Sequence, residues 1–538
     1  MKAVVYLFPL TIVLLASAGY SREFSQIGFG VLPSHISSKV NEIPNYADRK
    51  PMIGRSTVKQ KLDHFNRHGS RLWDQWFLHR KSRSQLPNGP VFLFIGGEGA
   101  ADRNWLANEG LPHVILADRM NASIYLLEHR FYGNSRPTAD ISKRNLRYLS
   151  AKQAIEDIKG FVDQVNKREG LNNPKWIAVG GSYSGSLAAW SREKSPRTIR
   201  AAVASSAPLL AKVDFSDPLE LVTTATVLQC SSKREGPNVL ICGNENVMLQ
   251  FRDHQEFGKQ VEAIITRADS KCASDIRSLF RSIKEKMKSV EGRKEIVRIF
   301  RLDDSLLREK VSEKDIQNFF FVVRNYISYI VMHSAINARK HRDVLTLRAM
   351  CKRLNGTSVQ SLRDMISMVM VAYGKPANTS IDISYDNFVN FMKDERYGRP
   401  STQPRAWLYQ NCNEFGHFAT SEDPNGIFGD TVPLNFFIAR CRDVFGAEYT
   451  KERILQNIAE TNAYFGGNRN FKATDVIFPN GSDDPWFALG VLEANGNDVI
   501  FIDGTSHVAD MYPSRSSDPL SLRWAQQRIQ QRLEEFMA

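Results

Sequence analysis

The segment Gly180-Gly181-Ser182-Tyr183-Ser184-Gly185 constrains the fold more than any other stretch of the chain. It follows the apolar run WIAV and precedes SLAAWSREKS, a helix-like stretch that stops at Pro196. A strand must therefore turn sharply into a helix at Ser182. Such a turn brings backbone segments too close for a Cβ, which accounts for the flanking glycines. A serine held there is strained, and its hydroxyl is exposed at the edge of a sheet. The final glycine comes one position late, so the pattern reads G-x-S-Y-x-G rather than G-x-S-x-G.

Five further runs resemble WIAV. Residues 91–97 (VFLFIGG), 123–130 (SIYLLEHR), 201–208 (AAVASSAP), 475–481 (DVIFPNG) and 498–504 (DVIFIDG) are short and apolar, and most end in turn residues. They read as buried parallel strands. Between two of them, Ala154, Ile155, Ile158, Phe161, Val162 and Val165 fall on one face at helical spacing. Ser150 with Gln153 makes a capping box there, and Gly170 can end the helix. Alternating helices and strands imply an α/β fold, a sheet with helices on both faces.

From about residue 212 to 445 the strand-like runs almost vanish. Amphipathic helical stretches such as 275–290 and 314–334 take over, and all six cysteines fall in this region. The simplest organisation is an α/β domain in two parts, 19–211 and 446–538, interrupted by a mainly helical, disulfide-bonded insertion at 212–445.

The first 18 residues read as a secretory signal. Lys2 supplies the positive start, an apolar run follows from 3 to 15, and Ala16-Ser17-Ala18 offers a cleavage site. That run is short for a spanning helix. The other apolar candidate, 319–336, is interrupted by Arg324 and Asn325 and reads as a buried helix, so no membrane partner is expected. Behind a signal, an even count of cysteines points to three disulfides among Cys230, Cys242, Cys272, Cys351, Cys412 and Cys441. The lack of a Cys-x-x-Cys pair argues against a zinc or thioredoxin-like site, and no metal or cofactor is expected. Sequons at Asn121, Asn355, Asn378 and Asn480 fit a secreted glycoprotein. The net charge of +13 is scattered among acids, with no basic run and no aromatic interleaving. That excludes a nucleic-acid groove as the first reading.

A nucleophilic serine needs a base, and the base needs an orienting acid. In α/β hydrolases these follow in the order serine, acid, histidine, each after a strand. The run 475–481 is followed by Ser482-Asp483-Asp484-Pro485-Trp486, and 498–504 by Thr505-Ser506-His507. The candidate triad is Ser182, Asp484 and His507, with Asp483 as the rival acid. The N–H of Tyr183, at a helix start, is one candidate oxyanion donor. The N–H of Gly97, in the loop after the first of these runs, is the other.

Seven motifs now stand in order along the chain. They are Gln60-Lys61-Leu62-Asp63-His64-Phe65-Asn66, GGEG (96–99), EHRFYGNSRP (128–137), GGSYSG (180–185), YQNCNEFG (409–416), DPW (484–486) and SHVADMYP (506–513). At these residues the chain resembles the serine peptidase family of prolyl carboxypeptidase, dipeptidyl peptidase II and thymus-specific serine peptidase. The Cys412 segment, Thr461-Asn462 and Tyr464-Phe465-Gly466-Gly467 look closest to the thymus-specific branch. The resemblance implies an α/β-hydrolase fold with a helical cap over the active site. It assigns Ser182, Asp484 and His507 their catalytic roles, and it pairs Cys412 with Cys441 and Cys272 with Cys351, leaving Cys230 with Cys242. It also implies an exopeptidase acting on short peptides, often after proline, in the secretory pathway, either secreted or lysosomal. A homodimer is the one assembly considered. Trp486 is the expected wall of a proline-sized pocket, with Glu98 beside it.

Two departures bear on that pocket. Ser184 stands where several relatives have glycine, and Phe-Ala-Leu-Gly follows Trp486 in place of a glycine-rich run. Gly181 stands where a neighbouring carboxypeptidase family places a glutamate, which argues against that family. A lipase or esterase on the same fold, or an inactive hydrolase-fold binding protein, are the alternatives. The motifs outside the triad argue against the first. The intact serine, aspartate and histidine argue against the second.

Overall fold

The computed structural model describes residues 52–214, 239–241, 257–334, 345–354 and 356–537. The signal segment, the Cys230–Cys242 pair and the Asn355 sequon lie outside the described residues. Each of the six apolar runs forms a strand: β3 (Pro90–Ile95), β4 (Ile124–Leu127), β5 (Lys175–Gly181), β6 (Ala201–Ser205), β10 (Val476–Gly481) and β11 (Asp498–Ile502). They pair in parallel in the order β4-β3-β5-β6-β10-β11. Being covered on both faces, they can be apolar throughout.

Two strands on one side were not read from sequence. β1 (Ile53–Lys61) and β2 (Leu72–Arg80) form an antiparallel hairpin whose second strand joins β4. Trp73, Gln75 and Phe77 of β2 point inward while Leu72 and Asp74 face water, so the segment alternates rather than running apolar. On the other side, β8 (Val239–Ile241) pairs antiparallel with β11. It falls inside the stretch assigned to the helical insertion, yet it extends the main sheet. Three residues are too few to show a period-two signal. A separate parallel pair joins β7 (Lys212–Asp214) to β9 (Gly416–Phe418).

Helices cover both faces. The helix Ala151–Glu169 lays Ile155, Ile158, Phe161 and Val162 against Phe77, Tyr125 and Trp176. The Ser150 hydroxyl accepts the Gln153 N–H at 3.2 Å, and Gly170 ends the helix at φ 65°. Gln153 does not complete a capping box. Its amide instead accepts the His64 N–H and donates to Asp63. The opposite face packs Phe92, Phe94 and Ile477 against the helices Pro112–Arg119 and Leu520–Met537.

Between β8 and β10 the described residues are mostly helical, and they supply most of an apolar cluster that includes Phe319, Phe320 and Ile327. Disulfides Cys272–Cys351 and Cys412–Cys441 lie within this segment. None of the described helices is long and apolar enough to cross a membrane.

Asn121 and Asn378 are exposed, as an acceptor of glycan must be. Asn480 is a correction. It is 2% exposed in β10 and donates to the carbonyls of Phe478 and Val491, so this sequon is closed to a sugar in the fold.

Arg130 joins two of the sequence motifs. It is fully buried and forms a two-pronged pair with Asp157, at 2.6 and 2.7 Å, while donating to the carbonyls of Lys61, Leu62 and Tyr148. His64 reaches the same aspartate at 2.7 Å.

Candidate active site

Ser182 sits between β5 and the helix Tyr183–Lys194, half-buried, at φ 58° and ψ −132°. A non-glycine residue rarely adopts this conformation, and its cost is offset by the surroundings. The Ser182 N–H is held by the Ser205 carbonyl at 2.9 Å. A Cβ on Gly180 would run into the Ser184 carbonyl, and one on Gly185 would lie 3.0 Å from the Ser205 carbonyl. Those two glycines are therefore steric requirements of the turn. Ser184 stabilises it further, because its hydroxyl accepts from Gly181 N at 3.0 Å and donates to Gly181 O at 2.8 Å. Ser184 thus faces the turn's own backbone.

Asp484 and His507 come together from the ends of β10 and β11. His507 Nδ1 lies 2.7 Å from Asp484 Oδ2, with the two residues 6% and 0% exposed. The other carboxylate oxygen of Asp484 accepts the Trp486 N–H at 2.9 Å. Asp483 turns away and pairs with Arg267 at 2.6 Å. The histidine loop is braced by the helix Glu313–His333 and the residue after it. His507 N donates to the Met332 carbonyl and the Ser506 hydroxyl to the Ser334 carbonyl. The Ser182 hydroxyl has no hydrogen-bond partner among the described residues. Contacts of this kind often tighten only once substrate is bound.

Of the candidate oxyanion donors, Tyr183 begins the helix directly after Ser182. The Gly97 backbone lies beside the same turn, where an added Cβ would stand 3.5 Å from the Ser184 Cβ. Glu98 follows it, half-buried. Burial pushes its carboxyl up to about 7, outweighing a hydrogen bond from its own backbone N–H. Trp486 is partly exposed, its ring against Phe257 at 5.4 Å and His417 at 5.5 Å.

Several residues around the site escaped sequence reasoning. Asp510 is buried and accepts the Ser205 hydroxyl at 2.5 Å, beneath the carbonyl that holds Ser182. The Tyr183 phenol lies between His129 Nε2 at 3.0 Å and Gln410 Nε2 at 2.9 Å. Burial lowers His129 to about 4, so the imidazole is neutral. With its Nδ1–H on the Arg130 carbonyl, its Nε2 accepts the Tyr183 O–H. Gln410 Oε1 accepts from Tyr132, and Glu414 takes the Ala151 N–H at 2.8 Å. A π-turn at Asn411–Phe415 presents Glu414 to that helix start. His129, Tyr132, Gln410, Glu414 and Asp510 all stand in quoted motifs, but only the fold brings the motifs together.

Burial pushes Glu414 up to about 7 and Asp510 to about 6. Such an acid keeps its proton in the fold after the unfolded chain has released it. Stability therefore falls as pH rises from the unfolded to the folded pKa. We expect the Tm to be several degrees higher near about pH 5 than near about pH 7.5, with Glu414→Gln removing part of the difference. Glu98, only half-buried, contributes less. Thermal unfolding across this range checks the sign, and a Tm that rises with pH would contradict it.

A mostly parallel sheet in this strand order, with a strained serine at the β5 turn and a histidine–aspartate pair after β10 and β11, defines the class as an α/β hydrolase. The sequence matches the serine carboxypeptidase S28 family over residues 60–234 and 246–529, and the chain belongs to that family. It is a serine-type peptidase. It is 33% identical to the Caenorhabditis elegans protein named "Putative serine protease K12H4.7", over 90% of this chain and 88% of that one. It is 29% identical to the thymus-specific serine protease of Mus musculus, over 89% and 87%. With the lysosomal Pro-X carboxypeptidase of Mus musculus it shares 24% identity, over 91% and 89%.

Proposed function

We propose that this peptidase is an exopeptidase that trims short peptides after proline or a similarly small residue, through an acyl-enzyme on Ser182. His507 Nε2 takes the hydroxyl proton as Ser182 attacks the carbonyl, and it returns that proton to the leaving amine. Asp484 fixes the imidazole so that Nε2 is the basic nitrogen. The N–H groups of Tyr183 and Gly97 hold the oxyanion. Water then releases the acyl group by the same steps. The observation that carries the reading is the buried 2.7 Å contact between His507 and Asp484 at the sheet edge that also presents Ser182.

The helical segment, 212–445 as read from sequence, serves as a cap. Its support is the contact between the Met332 carbonyl and His507 N, by which this segment touches the histidine loop. A covered site favours loose chain ends over folded surfaces. Trp486 walls the pocket, with Glu98 at its rim. The signal at 1–18 directs the chain into the secretory pathway, secreted or lysosomal, and the likeness to lysosomal Pro-X carboxypeptidase supports the lysosomal branch.

Mass spectrometry of a mixed peptide library tests this. Terminal fragments should be lost from short peptides after proline or a small residue, with folded proteins left intact. Efficient cutting of folded proteins at internal lysine or arginine would refute both the cap and the pocket.

A further inference from the structure

Buried arginines in this fold generally spend their N–H groups on oxygen. Arg130 does so on Asp157 and three carbonyls. Arg405 does so on the carbonyls of Ile141 and Met392 and on Glu395. Arg363 reaches the carbonyls of Ala377 and Thr379.

Arg324 and Arg440 do not. Arg324, fully buried in the helix Glu313–His333, gives one N–H to the Ala419 carbonyl, and its Nε and Nη2 have no partner. The side chain of Arg440, 4% exposed in the helix Leu434–Phe445, hydrogen-bonds no described residue, and its Nε is orphaned. Among the described residues no carboxylate pairs with either.

Their neighbours are ring faces. The Arg440 guanidinium lies 4.2 Å from the Phe388 ring centre and 4.5 Å from that of Phe321, and Arg324 lies 5.4 Å from Phe321. Burial lowers Arg440 to about 10 and, with the help of Arg440, Arg324 to about 9, so both remain cations at neutral pH. Stacking on aromatic rings offsets only part of the cost of burying a charge. Two neighbouring cations in an apolar surround call for an anion.

The room for one is present. Arg440 lines a cavity walled by Phe321, Trp407, Asn411, His417 and Phe437. His417 is neutral there, lowered to about 4 by burial, so the charge belongs to the arginines. Two of these walls touch residues of the candidate active site. The Trp407 ring packs on Tyr183 at 5.5 Å, and the His417 ring on Trp486 at 5.5 Å. Tyr183 adjoins Ser182 and Trp486 lies two residues from Asp484. A guanidinium presents paired N–H groups that match the two oxygens of a carboxylate.

We propose that this cavity is a carboxylate-binding site, in which Arg440, backed by Arg324, receives the terminal carboxylate of a peptide held at Ser182. The proposal rests on the peptidase reading and specifies which chain end the enzyme holds. A free small carboxylate offers the same chemistry, so the test separates the two sources.

The full enzyme is given one N-acetylated tripeptide as its free acid and as its C-terminal amide, and kcat/KM is measured for each. The acid should be cleaved at least about tenfold faster than the amide, and Arg440→Gln should bring that ratio close to one, with partial rescue by Arg440→Lys. Labelling of Ser182 by a neutral fluorophosphonate reports that each variant is folded at the site. In the unaltered enzyme, which depends on no variant folding, acetate should compete with the acid and leave the amide unaffected.

A ratio near one in the unaltered enzyme, a ratio kept in Arg440→Gln, or equal inhibition of both substrates by acetate would overturn the proposal. Failure to cleave any peptide would count against the peptidase reading alone. The cavity would then stand if acetate raised the Tm of the unaltered protein and not that of Arg440→Gln, and fall if it did not.

Discussion

Asp484→Asn lowers kcat by about four orders of magnitude while changing KM for short peptides little. Asp484 is fully buried, and one of its oxygens lies 2.7 Å from His507 Nδ1. Asparagine keeps the shape but can place an N–H where the carboxylate accepted one. The imidazole then carries its proton on Nε2 and cannot accept the one from Ser182. Substrate binding does not depend on that proton, so the loss falls on kcat. Asp483 cannot take over, because it is drawn off to Arg267. Asp483→Asn should therefore leave kcat within about threefold of the unaltered enzyme. Steady-state kinetics on both variants decide the matter, and a larger loss at 483 would reverse the assignment.

Asp157→Asn destabilises the fold by about 3–5 kcal/mol, the usual cost of stripping one partner from a buried ion pair. Arg130 is fully buried, and Asp157 supplies both oxygens facing it. The same guanidinium holds the carbonyls of Lys61, Leu62 and Tyr148, and His64 reaches the aspartate from the other side. Losing the charge leaves Arg130 uncompensated and loosens three segments together. Denaturant unfolding measures this. A change under about 1 kcal/mol would mean that the neighbouring carbonyls alone hold Arg130.

The central strands were legible because a strand covered on both faces is apolar at every position, as in VFLFI and WIAV. The hairpin β1–β2 was not, since its outward positions carry residues such as Asp74 and Lys59. The candidate triad was legible for a related reason. Each member follows directly on a readable strand, and strand ends meet at one sheet edge. The supports of that site were not legible. Gln410 and Glu414 stand more than two hundred residues from Tyr183, and Asp510 touches Ser205 across the sheet. Distances of that kind follow from the packing of the helical segment, which local periodicity does not encode. Asn480 shows the converse. A sequon is defined by three residues, but its availability depends on β10 burying the amide. Arg324 was visible only as a charge interrupting an apolar helix, and nothing local revealed that Arg440 would lie beside it.

The most direct test of the account is to treat the purified enzyme with a fluorophosphonate and locate the adduct by peptide mass spectrometry. The account predicts a single modified residue, Ser182, and a Ser182→Ala variant that loses both the adduct and peptide turnover. An adduct on another serine, with turnover retained in Ser182→Ala, would contradict it.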